Sequence, residues 1–124
     1  MYRSHLLLIV PLMAIVVFFL YRYAMSGIAY ISAEEAKQKL AANEFDVVLD
    51  VRTNMEYNLG HYPNAKHIPV QQLKDRIPTE IPDPSTRILI YCNTGQRARK
   101  ASEILMGLGY NNIRYIPGSY TTLR

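Results

Sequence analysis

The chain has 124 residues with one cysteine, 14 basic and 10 acidic side chains, and a formal net charge of +4 at pH 7. That length holds one small core, and a lone cysteine excludes an internal disulfide framework and any multi-cysteine zinc or iron–sulfur site within the chain. Setting Arg3 and Arg22 aside leaves 12 basic against 10 acidic residues, a charge of +2, which argues against nucleic acid or another polyanion as partner.

Leu6 to Leu20 is a run of 15 uncharged, nearly all apolar residues, preceded by Arg3 and His5 and followed by Tyr21, Arg22 and Tyr23. A segment apolar on every side does not suit a core helix, and it predicts a hydrophobic amino-terminal helix in a membrane. Such a helix covers roughly 22 Å at ~1.5 Å per residue, short of a ~30 Å hydrocarbon layer. The tyrosines and a snorkelling Arg22 would extend it, and Pro11 would bend it without preventing insertion. Two readings follow: an uncleaved anchor through residues 6–25, which is preferred, or a secretory signal with Ala24-Met25-Ser26 as its small-x-small cleavage site. The first gives a single-pass membrane protein. The positive-inside rule, comparing the amino terminus and Arg3 with Arg22, leans toward an external or periplasmic domain. The second gives an exported soluble protein. Residues 1–27 are assigned to this segment and 28–124 to one domain.

Within the domain, Ile28 to Ile31 predicts a first strand. Ser32-Ala-Glu-Glu35 fits a capping box that opens a helix running to about Ala42. Val47 to Val51 is a short apolar run of the kind a parallel strand shows when covered on both faces, with Asp50 near its carboxyl end, and Ile88 to Tyr91 is a second. After Tyr91 come Cys92-Asn93-Thr94-Gly95-Gln96-Arg97. A helix then follows with Ala98, Ala101, Leu105 and Leu108 on one side, breaking at Gly107 and Gly109. Ile113 to Ile116 is the expected last strand, ended by Pro117-Gly118. Strands alternating with helices predict an α/β fold with a mainly parallel sheet and helices on both faces. Ligands in such sheets sit beyond the carboxyl ends of strands, where Cys92 lies.

A buried strand that delivers a cysteine into a glycine-containing turn, which then opens a helix, gathers backbone N–H groups around one point and suits an anion. The positive helix end and a nearby guanidinium favour thiolate over thiol, so Cys92 is the expected nucleophile. Gly95 permits a turn with positive φ, and Arg97 directs a cation to the mouth of the loop. A free cysteine is more often a small buried hydrophobe, but Asn93, Thr94, Gln96 and Arg97 make a poor core.

Leu49-Asp50-Val51-Arg52, Glu56-Tyr57, Gly60-His61-Tyr62-Pro63-Asn64-Ala65, His67-Ile68-Pro69 and Tyr91 through Ala98 together resemble the rhodanese-homology domain in its small single-domain form, from about Ile31 to Gly118. The resemblance implies a rhodanese-like five-stranded parallel sheet and a sulfurtransferase in which Cys92 alternates between thiolate and persulfide. It also implies a small sulfur-containing anion such as thiosulfate as donor, and a thiol or cyanide as acceptor. Asn93, Thr94, Gly95, Gln96 and Arg97 would form the substrate-binding loop, with Asp50 and Arg52 supporting it and no metal or other cofactor required. His61, His67, Glu56 and Tyr57 are read as structural. The chain departs from the family pattern at Ser119 after Gly118, and at Tyr62 and Asn64.

Two other functions compete. A cysteine phosphatase or arsenate reductase also uses a cysteine, an anion-cradling loop and an arginine. Here, however, Arg97 comes five positions after Cys92, one residue too compact by the resemblance for a tetrahedral phosphate. A non-catalytic interaction module at the membrane would not need Cys92 in an intact loop.

Overall fold

The computed structural model describes residues 2–124, with side chains described for 5–21 and 29–124. The side chains of Arg3, Arg22, Tyr23, Ala24-Met25-Ser26 and Ile28, on which part of the amino-terminal reading rests, lie outside the described residues. Helix α1 spans Tyr2–Ala29 and contains Pro11, and its large apolar side chains from Leu6 to Tyr21 are all exposed. Among the described residues no helix is long and apolar enough to cross a membrane.

The far end of α1 belongs to the domain, because Ala29 is fully buried in the core and the helix packs on two later elements, α5 (Gln96–Gly107) and β4 (Ile113–Tyr115). Since the chain stays helical through Ala29 and Ser32 already caps the next helix, only Tyr30 and Ile31 remain to be extended. The expected first strand therefore shrinks to one parallel bridge between Tyr30 and Tyr115, with the Ile31 N–H donating to the Tyr115 carbonyl at 3.0 Å. This corrects the five-stranded expectation: the sheet has four strands.

Those strands are β1 (Val47–Asp50), β2 (Lys66–His67), β3 (Ile88–Tyr91) and β4, all parallel, in the order β2-β1-β3-β4. Every residue of β3 is buried, as an interior parallel strand covered on both faces requires. Its side chains alternate between two cores. Ile88 and Ile90 join Leu49, Ile77, Ala101 and Leu105 beneath α4 (Leu73–Glu80) and α5, whereas Leu89 and Tyr91 join Ile31, Ala36 and Leu123 beneath α2 (Ala33–Ala41). Full burial of a side chain such as Ile90 stabilises the fold by about 1.5–3 kcal/mol. The helices thus lie on both faces. The register that sets Asp50 beside Tyr91 brings the carboxyl ends of β1 and β3, with the loops that follow, to one edge of the sheet.

Candidate active site

Tyr91 ends β3, and the next residues form a loop that opens α5. Gly95 takes φ 92°, in the left-handed region. A Cβ there would come within 2.9 Å of the Pro117 Cα and carbonyl oxygen, so only glycine lets the loop lie against the turn after β4. Held this way, the Gly95 N–H donates to Cys92 Sγ at 3.1 Å, and the Gly95 carbonyl accepts from the Arg99 N–H at 2.9 Å as α5 begins. An amide aimed at the sulfur, with the positive end of a 12-residue helix behind it, stabilises negative charge on that atom.

The sulfur is less open than its polar loop suggests. Cys92 has no accessible surface and sits within the larger core cluster, while Asn93, Thr94 and Gln96 are exposed. Of the collar of amides expected from Asn93 to Arg97, the Gly95 N–H is the one seen on the sulfur.

Arg97, read from sequence as directing a cation to the mouth of the loop, is ion-paired there. Its Nη1 and Nη2 donate to Glu56 Oε1 and Oε2 at 2.6 and 2.9 Å. Glu56, read from sequence as a helix position, stands in the first turn of α3 (Asn54–Leu59) inside a capping box. The Thr53 hydroxyl accepts from the Glu56 N–H, and the Thr53 N–H donates back to Oε1 at 3.1 Å. The Asn93 side-chain amide donates to Oε2. The hydrogen-bonded Arg97 guanidinium holds the Glu56 carboxyl well below the usual carboxylate range against the burial that would raise it, and Glu56 in turn raises Arg97.

Asp50 and Arg52, read from sequence as supporting residues, are paired beside the cysteine loop. Both are nearly excluded from solvent. The Arg52 Nε and Nη2 donate to Asp50, the shortest contact being 2.7 Å, and Nη2 also donates to the Gly60 carbonyl at 2.6 Å. Its Nη1 reaches Asn93 Oδ1 at 3.4 Å, tying β1 to the cysteine loop. The guanidinium lies over the Tyr91 and Tyr120 rings at 5.4 and 5.2 Å from their centroids. Burial first, and then the hydrogen bond to Asp50, push the Tyr91 hydroxyl up. Tyr120, carried by the 3-10 helix Tyr120–Leu123, is a wall residue that sequence reasoning missed. Its hydroxyl occupies the place a Cβ at Gly60 would need.

His61 and His67, read from sequence as structural, both pack against Tyr57. The Tyr57 ring is stacked between His61 and His67, with centroids 3.8 and 4.4 Å away. His61 Nδ1 lies 2.9 Å from the Tyr57 carbonyl oxygen and His67 Nε2 lies 2.7 Å from that of Arg52. Among the described residues, no cluster of His, Cys, Asp and Glu could hold a metal ion.

Comparison with known proteins decides the family, because the Rhodanese-like domain model matches residues 32–123. The chain belongs to the rhodanese-like domain family. It is 36% identical over 70 residues to thiosulfate sulfurtransferase PspE of Escherichia coli K12, covering 56% of this chain and 67% of that one. It is 35% identical over 94 residues to the tRNA uridine(34) hydroxylase of Erwinia tasmaniensis, covering 73% of this chain but only 27% of the relative. Among solved structures it resembles human single-domain sulfurtransferase TSTD1 with a TM-score of 0.68 and 25% identity, covering 76% of this chain and 93% of that one. The rhodanese-like fold, with its parallel sheet and flanking helices, is therefore established here with four strands.

Proposed function

We propose that this chain is a sulfurtransferase in which Cys92 carries sulfane sulfur as a persulfide, taking it from thiosulfate or a similar small sulfur anion and passing it to a thiol or cyanide. The observation that carries the reading is the Gly95 N–H pointed at Cys92 Sγ at the start of α5, in a member of the rhodanese-like family. Similarity to a thiosulfate sulfurtransferase that the chain covers over 67% of its length supports the reaction class. The chain also matches a tRNA uridine(34) hydroxylase, of which it spans 27%.

The Cys92 thiolate attacks the outer sulfur of thiosulfate. A new sulfur–sulfur bond forms, the bond to the sulfonate sulfur breaks, and its electron pair leaves with sulfite. An acceptor then attacks the outer sulfur of the persulfide. With cyanide the products are thiocyanate and the Cys92 thiolate; with a thiolate they are a new persulfide and the Cys92 thiolate. The Gly95 amide stabilises charge on the cysteine sulfur in both half-reactions. Asp50, Arg52 and Asn93 keep the loop in place. Intact mass spectrometry after thiosulfate treatment tests the reading: the wild type gains one sulfur that cyanide removes, and Cys92→Ser gains none. An unchanged wild-type mass counts against transfer chemistry.

The chain is further proposed to be membrane-tethered through residues 6–25, with the domain on the external side and signal cleavage as the alternative. The exposed apolar side chains from Leu6 to Tyr21 support this. Because the apolar run is shorter than the hydrocarbon layer, crossing requires Tyr21 and its neighbours to lie in the interface. A carboxyl-terminal fusion reporter with membrane fractionation tests both points, since an internal reporter or a fully soluble, full-length chain contradicts them.

A further inference from the structure

The cation that should greet an anionic donor is already occupied. Both terminal nitrogens of Arg97 are taken by Glu56, and this is no casual surface pair. Three donors reach Oε1, from the Thr53 N–H, the Thr53 hydroxyl and Arg97; two reach Oε2, from Asn93 and Arg97. The carboxylate is fixed to the backbone of α3 on one side and to the cysteine loop on the other. The Glu56 and Arg97 side chains are 27% and 32% exposed, so the pair stands at the boundary between loop and solvent.

A carboxylate of α3 fixed against the loop that holds Cys92 changes which anions are welcome. It offsets the charge of Arg97, so the attraction offered to an incoming anion falls in proportion to that anion's charge, and a dianion loses more than a monoanion. Protonation does not relieve this at working pH, because the Arg97 hydrogen bonds keep the carboxyl well below its ordinary range.

We infer that Glu56 is a specificity-determining residue that turns the Cys92 site away from dianionic thiosulfate and toward monoanionic sulfane donors of the thiosulfonate class. The inference rests on the sulfurtransferase reading and narrows its donor. For a thiosulfonate, the Cys92 thiolate attacks the sulfane sulfur, the bond to the sulfonyl sulfur breaks, and its electron pair leaves on a sulfinate. Thiosulfate undergoes the same step with one more negative charge on the leaving group, so the two donors differ in charge at constant chemistry.

The test compares kcat/KM for methanethiosulfonate and thiosulfate, with cyanide as acceptor, in the full chain and in Glu56→Gln. Glutamine also serves at the third helical position of a capping box, so α3 retains its start; Glu56→Ala is the second arm should the first fail to fold. The expected result is a shift of the donor ratio toward thiosulfate by about tenfold, mainly through KM. An unchanged ratio, or an equal loss with both donors, overturns the inference. A second readout needs no sulfur transfer: the rate of Cys92 alkylation by iodoacetate, an anion, relative to iodoacetamide, which is neutral. That ratio rises in Glu56→Gln if the carboxylate selects by charge. If it stays flat, or neither reagent reaches Cys92 in either protein, the inference falls. If no donor charges Cys92 while the alkylation ratio still rises, the transfer reading fails and the charge selection stands.

Discussion

Tyr91 donates its hydroxyl to Asp50 Oδ2 at 2.6 Å, joining the two residues that the parallel register of β1 and β3 sets side by side. The same hydroxyl oxygen accepts from the Tyr62 N–H at 3.0 Å, so one buried group links β1, β3 and the turn after α3. Tyr91→Phe strips a donor from Asp50 and orphans the Tyr62 amide. A loss of about 1–3 kcal/mol in unfolding free energy is expected, read from urea midpoints at unchanged slope.

Asp50→Asn is the more severe change. It keeps the size of the side chain but leaves the buried Arg52 guanidinium without its counter-ion. Removing one partner of a buried pair costs about 3–5 kcal/mol. Thermal melts should show a large drop, and Asp50→Asn with Arg52→Met should recover part of it.

Gly95→Ala places a methyl group against the Pro117 backbone at a φ that L-residues rarely adopt. About 1–3 kcal/mol of strain is expected. Because the Gly95 amide is the donor on Cys92 Sγ, persulfide formation should slow by about 10²-fold. Mass-resolved kinetics with thiosulfate would show the rate falling far more than the folded fraction.

Acid stability should depend on Asp46, whose carboxyl the Arg87 hydrogen bonds hold down at about 2 from 3.8. A depressed carboxyl is protonated more readily in the unfolded chain, so its contribution is complete above about pH 4 and is lost as pH falls toward 2. In Asp46→Asn the unfolding midpoint should vary less steeply with pH across that window, and the difference from wild type should vanish near pH 2.

The parts of the fold legible in the sequence are those with local causes. Gly95 between Thr94 and Gln96 announces a turn into a helix, and it has the positive φ that such a turn needs. The runs 47–50 and 88–91 read as strands because β-branched and apolar residues stand together without helical spacing. Ile28 to Ile31 reads the same way, yet its first half closes α1, since short apolar runs do not separate strand from helix end. Helix α4 is hard to see because Pro78 stands inside it. Glu56 shows how far a local signal reaches. Thr53-Asn-Met-Glu56 is a capping-box pattern that places the carboxylate at a helix start. Its partner Arg97 is 41 positions away and meets it only through the sheet. Tyr120 carries no local mark, because it becomes a wall only when the carboxyl terminus folds over Arg52.

Helix α1 ends with Ala29 sealed in the core, and Ser32 opens α2 three residues later. Such a junction behaves as a mast rather than a leash: it leaves no slack for the globular part to swivel. Whatever grips the amino-terminal helix therefore also sets the direction in which the cysteine loop faces, and a flexible insert after Ala29 would uncouple the two.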